Sequence, residues 1–193
     1  MPERKRPAPK KIAPKKITAT SLENIAAHYL ERFASSAENL RRVLMRRVRR
    51  AADHHGGDPA EGKALVEALV ERFRRSGVLD DRRYAAAKAA SLQRRGGSRR
   101  IISGRLAQQG VDGTLIAATL RDLADEAGGS DLAAACAFIR RRRLGAYRRG
   151  DGRTASPEKE LATLARAGFS FEIARQVLAC ADIAAVEALM RDE

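Results

Sequence analysis

From residue 22 onward the apolar side chains of this chain return every three or four residues, and nowhere do they alternate. Leu22, Ile25, Ala26, Tyr29, Leu30 and Phe33 fall at i, i+3, i+4, i+7, i+8 and i+11, one stripe on a 3.6-residue period. Leu40, Val43, Leu44 and Val48 form a second stripe, and Leu65, Val66, Leu69, Val70 and Phe73 a third. The pattern resumes around Tyr84 to Leu92, at Ile101, Ile102 and Leu106, and at Ile116, Leu120 and Leu123. Another round follows with Leu132, Cys136 and Ile139, then Leu161 and Leu164, then Ile173, Val177 and Leu178. A last short helix carries Ile183, Val186 and Leu189. No segment has the period of two that a half-buried strand needs, so the chain reads as all-α.

The punctuation between stripes groups these helices. Gly77, Gly110 and Gly168 each close a helical stretch and precede an apolar residue (Val78, Val111, Phe169), the pattern of a Schellman end. Capping side chains follow: Asp80 or Asp81, Asp112 and Ser170, with Ser98, Ser130 and the Ser156-Pro157-Glu158 start elsewhere. The expected organisation is a basic Lys/Pro tail over 1–19, three-helix repeats over 20–77, 80–126 and 130–180, and a short C-terminal helix over 181–193. Helices this short are marginal alone, so each round must bury its stripe against its partners and against the next round. Tandem three-helix repeats of this kind are expected to stack into an elongated, curved body.

Charge is the second constraint. The formal net charge is +14, and residues 1–17 hold seven Lys/Arg against one Glu. A tandem pentad lies there, Ala8-Pro9-Lys10-Lys11-Ile12 and Ala13-Pro14-Lys15-Lys16-Ile17, whose prolines and like charges predict a solvated tail. Lys10, Lys11, Lys15 and Lys16 are its candidate nucleic-acid contacts. Within the helices, Arg41, Arg42, Arg46, Arg47, Arg49 and Arg50 run along the second helix of round one. Arg94, Arg95, Arg99 and Arg100 flank the first-to-second helix junction of round two. Arg140, Arg141, Arg142 and Arg143, with Arg148, Arg149 and Arg153, surround the same junction in round three. Stacking would align the runs into a basic stripe. Because the planar guanidinium pairs phosphate and carboxylate bidentately, the expected partner is long, repetitive and negatively charged.

Other chemistries lack their residues. Aromatics make up 4% of the chain and Trp is absent, which counts against stacking platforms for single-stranded bases. Asp53-His54-His55 has no second cluster of ligands at metal spacing, and the Gly56-Gly57 that follows suggests a loop. His28 reads as a helix-surface residue, and Cys136 and Cys180 as packing residues. Gly96-Gly97 and Gly128-Gly129 read as helix breaks without phosphate-loop spacing. No catalytic constellation, cofactor site or metal site is expected. Without an apolar run long enough to span a bilayer or a signal-like start, the chain reads as a soluble cytoplasmic protein and a monomer.

Several runs resemble the RecX regulatory proteins. Tyr29-Leu30-Glu31-Arg32, with Ser35-Ser36 and Leu40-Arg41-Arg42, is similar to that family's first repeat. Gly77-Val78-Leu79-Asp80-Asp81-Arg82-Arg83-Tyr84-Ala85 and Gly96-Gly97-Ser98-Arg99-Arg100-Ile101, closing with Leu106 and Gly110-Val111, are similar to its second. Leu164-Ala165-Arg166-Ala167-Gly168-Phe169 looks more loosely like its last, while segment 145–155 looks like an insertion. The resemblance implies tandem three-helix repeats that bind the RecA filament on single-stranded DNA, lodge in its groove and restrain growth, ATP turnover, strand exchange and repressor cleavage. Contacts are then expected from Arg41, Arg42, Arg46, Arg94, Arg95, Arg99, Arg100, Arg140 to Arg143, Arg148 and Arg149, with weak direct DNA binding beside them. The alternative is a direct DNA binder of helix-turn-helix type, with Arg99, Arg100 and Arg105 facing a groove and Gln108 and Gln109 as the nearby amides.

Overall fold

A computed structural model describes residues 16–126, 129–148 and 156–191. Those residues form ten α-helices and one 3-10 turn: α1 (Ala19–Arg32), α2 (Ala37–His55), α3 (Pro59–Arg75), α4 (Asp81–Arg94), α5 (Arg99–Gln108), α6 (Gly113–Ala124), α7 (Asp131–Arg142), the turn Gly145–Tyr147, α8 (Pro157–Arg166), α9 (Phe171–Leu178) and α10 (Ile183–Arg191). Among the described residues no strand occurs, as the periodicity requires. The chain divides after Leu79 into two compact units.

In the first unit α3 packs on both α1 and α2. Its core takes Leu22 and Ala26 from α1, Leu40, Leu44 and Val48 from α2, and Val66, Leu69, Val70 and Phe73 from α3. Burying each of the Leu, Val and Phe side chains among these contributes on the order of 1.5–3 kcal/mol. The fold begins slightly before the composition shift suggests: Ile17 packs against this core, and Thr18 and Ser21 cap α1 reciprocally. Lys16 is exposed, whereas Lys10, Lys11 and Lys15 lie outside the described residues. Several apolar positions do not reach the core, Leu65 of the third stripe among them. Phe33 is 56% exposed because α1 ends at Arg32 and Phe33 has extended backbone, which turns it off the helical face. Val78 is exposed and Leu79 buried, because the N–H of Leu79, not that of Val78, reaches the Phe73 carbonyl (3.0 Å).

The second unit holds two cores. Tyr84, Ala85, Ala89, Ile102, Leu106, Val111, Ile116 and Leu123 pack from α4, α5 and α6. Ala134, Cys136, Phe138, Ile139, Leu164, Phe169, Val177 and Val186 pack from α7 to α10, so the C-terminal helix completes the last core through Val186. Most start signals work as read: Asp80, Ser98, Asp112, Ser130 and Ser170 each accept a backbone N–H from the first turn of their helix. Ser156 does not. Its hydroxyl makes no capping bond, and α8 starts on Pro157, whose missing N–H needs no partner. The break read at Gly56-Gly57 follows directly on α2: His54 and His55 end that helix, their rings edge-on at 4.6 Å, and Gly56 takes the left-handed region behind them.

Candidate functional site

The junction between the second and third helical rounds is where the structure gathers cationic side chains. α4 ends in Arg94 and Arg95, and Gly96 then takes φ +77. The N–H groups of Gly96 and Gly97 close on the Gln93 and Leu92 carbonyls (2.8 and 3.0 Å), so this pair is a Schellman end rather than a simple break. Gly96 is also where α7 passes. A Cβ there would lie 2.6 Å from the Phe138 nitrogen and 2.7 Å from its Cα, so no other residue fits without displacing a helix.

The turn is then stitched to the third round. The Ser98 hydroxyl donates to the Ala167 carbonyl (2.7 Å) while accepting the Ile101 N–H that starts α5 (3.3 Å). The Arg99 backbone N–H donates to the Asp131 carboxylate (2.7 Å), and the Gln93 amide to the Ser130 carbonyl (3.4 Å). Arg100 lays its guanidinium on the end of α8, donating to the Ala165 and Arg166 carbonyls (3.4 and 3.3 Å). A cation is favourable at that negative end of the helix dipole. Gly168, φ +92, permits this approach, since a Cβ would sit 2.5 Å from the Ser98 hydroxyl.

The consequence for charge is local and specific. Because Gly96 touches Phe138, the Arg94–Arg95 pair lies beside the helix that ends in Arg140, Arg141 and Arg142. Arg142 holds its guanidinium 5.8 Å from the Phe138 ring centroid. All five of these arginines and Arg143 are exposed, and none pairs with a carboxylate side chain among the described residues. Exposed arginines from two rounds thus flank one helix-to-helix contact of the second unit, the end of α4 against α7; this is the cationic shoulder.

Other predicted site residues are differently engaged. Arg41 is half-buried and bonds both Glu67 oxygens through Nε (3.0 and 2.9 Å) and Glu38 through its terminal nitrogen, tying α2 to α3. Desolvation at that position lowers its affinity for the proton, but the bonds to Glu38 and Glu67 outweigh this and hold the guanidinium above its ordinary range. Arg42 pairs with Glu38 (3.1 Å), while Arg46, Arg47, Arg49 and Arg50 are exposed along α2. Arg148 pairs with Glu160 (2.8 Å), a glutamate only 4% exposed that also accepts the Gly145 N–H (3.3 Å). Arg149 and Arg153 lie outside the described residues. Sequence reasoning missed Asp131 and Glu160, whose partners lie far along the chain.

No helix of the described residues is long and apolar enough to cross a membrane, and no three His, Cys, Asp or Glu gather among them. Residues 80–120 match the family description "RecX, second three-helix domain". Over 166 residues the chain is 44% identical to a protein of Myxococcus xanthus named regulatory protein RecX, covering 86% of this chain and 88% of that one. A second protein of that name, from Agrobacterium fabrum, is 35% identical over 156 residues, 81% of this chain and 80% of the relative. No solved structure matches the chain. With an identity of 44% spread over 86% of this chain and 88% of the relative, this protein belongs to the RecX family.

Proposed function

We propose that this protein binds the RecA filament on single-stranded DNA in the cytoplasm and restrains it, lowering recombinase, ATPase and coprotease activity by binding alone. Membership of a family whose members are named regulatory proteins supports the reading. The observation that carries it is the cationic shoulder of Arg94, Arg95, Arg140, Arg141 and Arg142, exposed and without carboxylate partners among the described residues. Such a surface suits a repeating anionic lattice, and linked weak contacts from Arg46 and the rest of α2 would add avidity. Arg41, Arg99, Arg100 and Arg148 are instead engaged inside their own units: Arg41 ties α2 to α3 in the first, while the Arg99 backbone N–H and the Arg100 and Arg148 side chains join elements of the second.

The test is RecA ATP hydrolysis on single-stranded DNA, titrated with the full chain, with a version lacking residues 1–15, and with Arg94→Glu/Arg95→Glu/Arg140→Glu/Arg141→Glu. The truncation stops at 15 because Ile17 packs on the core. Each exposed charge contact contributes roughly 0.5 kcal/mol, so four reversals should weaken inhibition by ~30-fold. No inhibition by the full chain overturns the function. Inhibition within twofold of the full chain by the reversed variant overturns the contact surface. Binding to naked DNA that falls on the order of 10³-fold between about 50 and 200 mM salt, with no effect on RecA, favours the helix-turn-helix alternative.

A further inference from the structure

In the first unit, α1 and α2 leave an open groove of about 430 Å³. Ile25, Tyr29, Phe33 and Val43 line it beside the polar Asn24 and His28, and Arg32 and Arg47 add two guanidinium groups. The volume falls in the range of about 300–1,000 Å³ over which grooves take up bound groups. Phe33 is 56% exposed and Tyr29 half-buried, and their rings meet at 5.3 Å with a 41° tilt. Tyr29 is fixed in place: its hydroxyl accepts from the Asn39 amide (3.0 Å), which also donates to the Ser35 hydroxyl (2.9 Å). The groove is therefore shaped before anything binds, a condition that lowers the entropic cost of association.

Its chemistry selects the occupant. Aliphatic and aromatic walls suit apolar anchor side chains spaced as on one face of a helix or extended segment. Arg32 and Arg47 make no ion pair among the described residues, and the nearby Glu31 is turned to His28 (3.8 Å). The two guanidinium groups thus ask for carboxylates flanking the anchor. This chain's own lysine-rich tail has the wrong sign, and a second copy of a +14 chain would be repelled. A stacked base fits less well, because the two rings tilt against each other and aliphatic side chains supply much of the wall.

We infer that the α1–α2 groove takes an acidic segment with apolar anchors from the protein component of the filament, with Phe33 as the central contact. This inference rests on the filament-binding reading. Phe33→Ala and Arg47→Glu are made in the full chain and compared with the four-arginine variant above. An exposed Phe33 contributes little to folding, so the melting temperature should stay unchanged. A buried aromatic anchor at an interface typically contributes about 2 kcal/mol or more, roughly 30-fold in affinity. Phe33→Ala is expected to weaken binding to preassembled filament ~30-fold and leave binding to bare single-stranded DNA within twofold. A photoreactive group at position 33 should crosslink to an acidic stretch of the filament protein. Equal weakening on bare DNA, a crosslink to DNA or to a second copy of this chain, or unchanged filament binding overturns the groove assignment. If the unmodified chain does not bind the filament, the functional reading fails and this inference falls with it.

Discussion

Replacing Gly96 by alanine tests the junction on which the cationic shoulder depends. Two costs add. The residue sits at φ +77, where a Cβ is disfavoured by roughly 1–2 kcal/mol. That Cβ would also press on backbone atoms of Phe138 at 2.6 and 2.7 Å, and backbone inside a packed helix cannot swing aside as a long side chain can. Overpacking of this kind costs about 1–3 kcal/mol. The unfolded chain loses some freedom as well, which returns roughly 0.4–1 kcal/mol. The expected net loss is about 1–4.5 kcal/mol, centred near 3. Gly77 is the control, with nearly the same φ (+74) and nothing within 4 Å of where an added methyl group would stand, so Gly77→Ala should cost only ~1 kcal/mol. Calorimetry and urea unfolding of both variants would measure the losses, with the two units followed separately because a two-unit chain need not unfold in one step. Equal losses at the two positions would refute the claim that α7 is docked tightly against the end of α4.

Two further outcomes follow from single residues. Arg143 ends α7 at φ 57 and ψ 49, a left-handed conformation that costs a side chain about 1 kcal/mol, so Arg143→Gly should raise the melting temperature by ~1–4 °C; a lower value would contradict the assigned backbone. Asp112 is held below its ordinary range by the Thr114 hydroxyl first, then by the N–H groups of Thr114, Leu115 and Gly113. Its folded value is depressed, so its contribution is complete above the unfolded value of about 3.9 and disappears as pH falls through the folded one. Asp112→Asn does not titrate, so the stability difference between wild type and variant, measured by urea unfolding, should shrink as pH falls from about 5 to 3. A difference constant across that range would count against the shift.

Much of the fold was legible because its causes are local. Helical periodicity needs only neighbours three and four residues away, and caps such as Ser98 and Asp112 act on N–H groups within their own first turn. The same is true of Gly110 and Gly168, whose following residues Val111 and Phe169 return to the Leu106 and Leu164 carbonyls (3.1 and 3.2 Å). The reading slipped where a position depended on one bond more or less, as at Val78 and Leu79, or on where a helix stopped, as at Phe33. The arginine runs were visible as composition, but their engagement was not. Nothing near Arg41 announces Glu67 as its partner, and Arg148 gives no sign of the buried Glu160.

Sequence alone determined the helices, their approximate ends, the excess positive charge and the family resemblance, because each is written in short-range spacing or residue identity. Only the tertiary structure decided which cations stand exposed without carboxylate partners and which hold helices together. It also decided that Gly96 and Gly168 are points of contact between rounds, and that α1 and α2 leave a largely apolar groove with two arginines in its lining. The physical reason is distance along the chain. A hydrogen bond from Ser98 to Ala167 joins residues whose proximity arises from packing of whole helices, and no local pattern encodes which pair will meet.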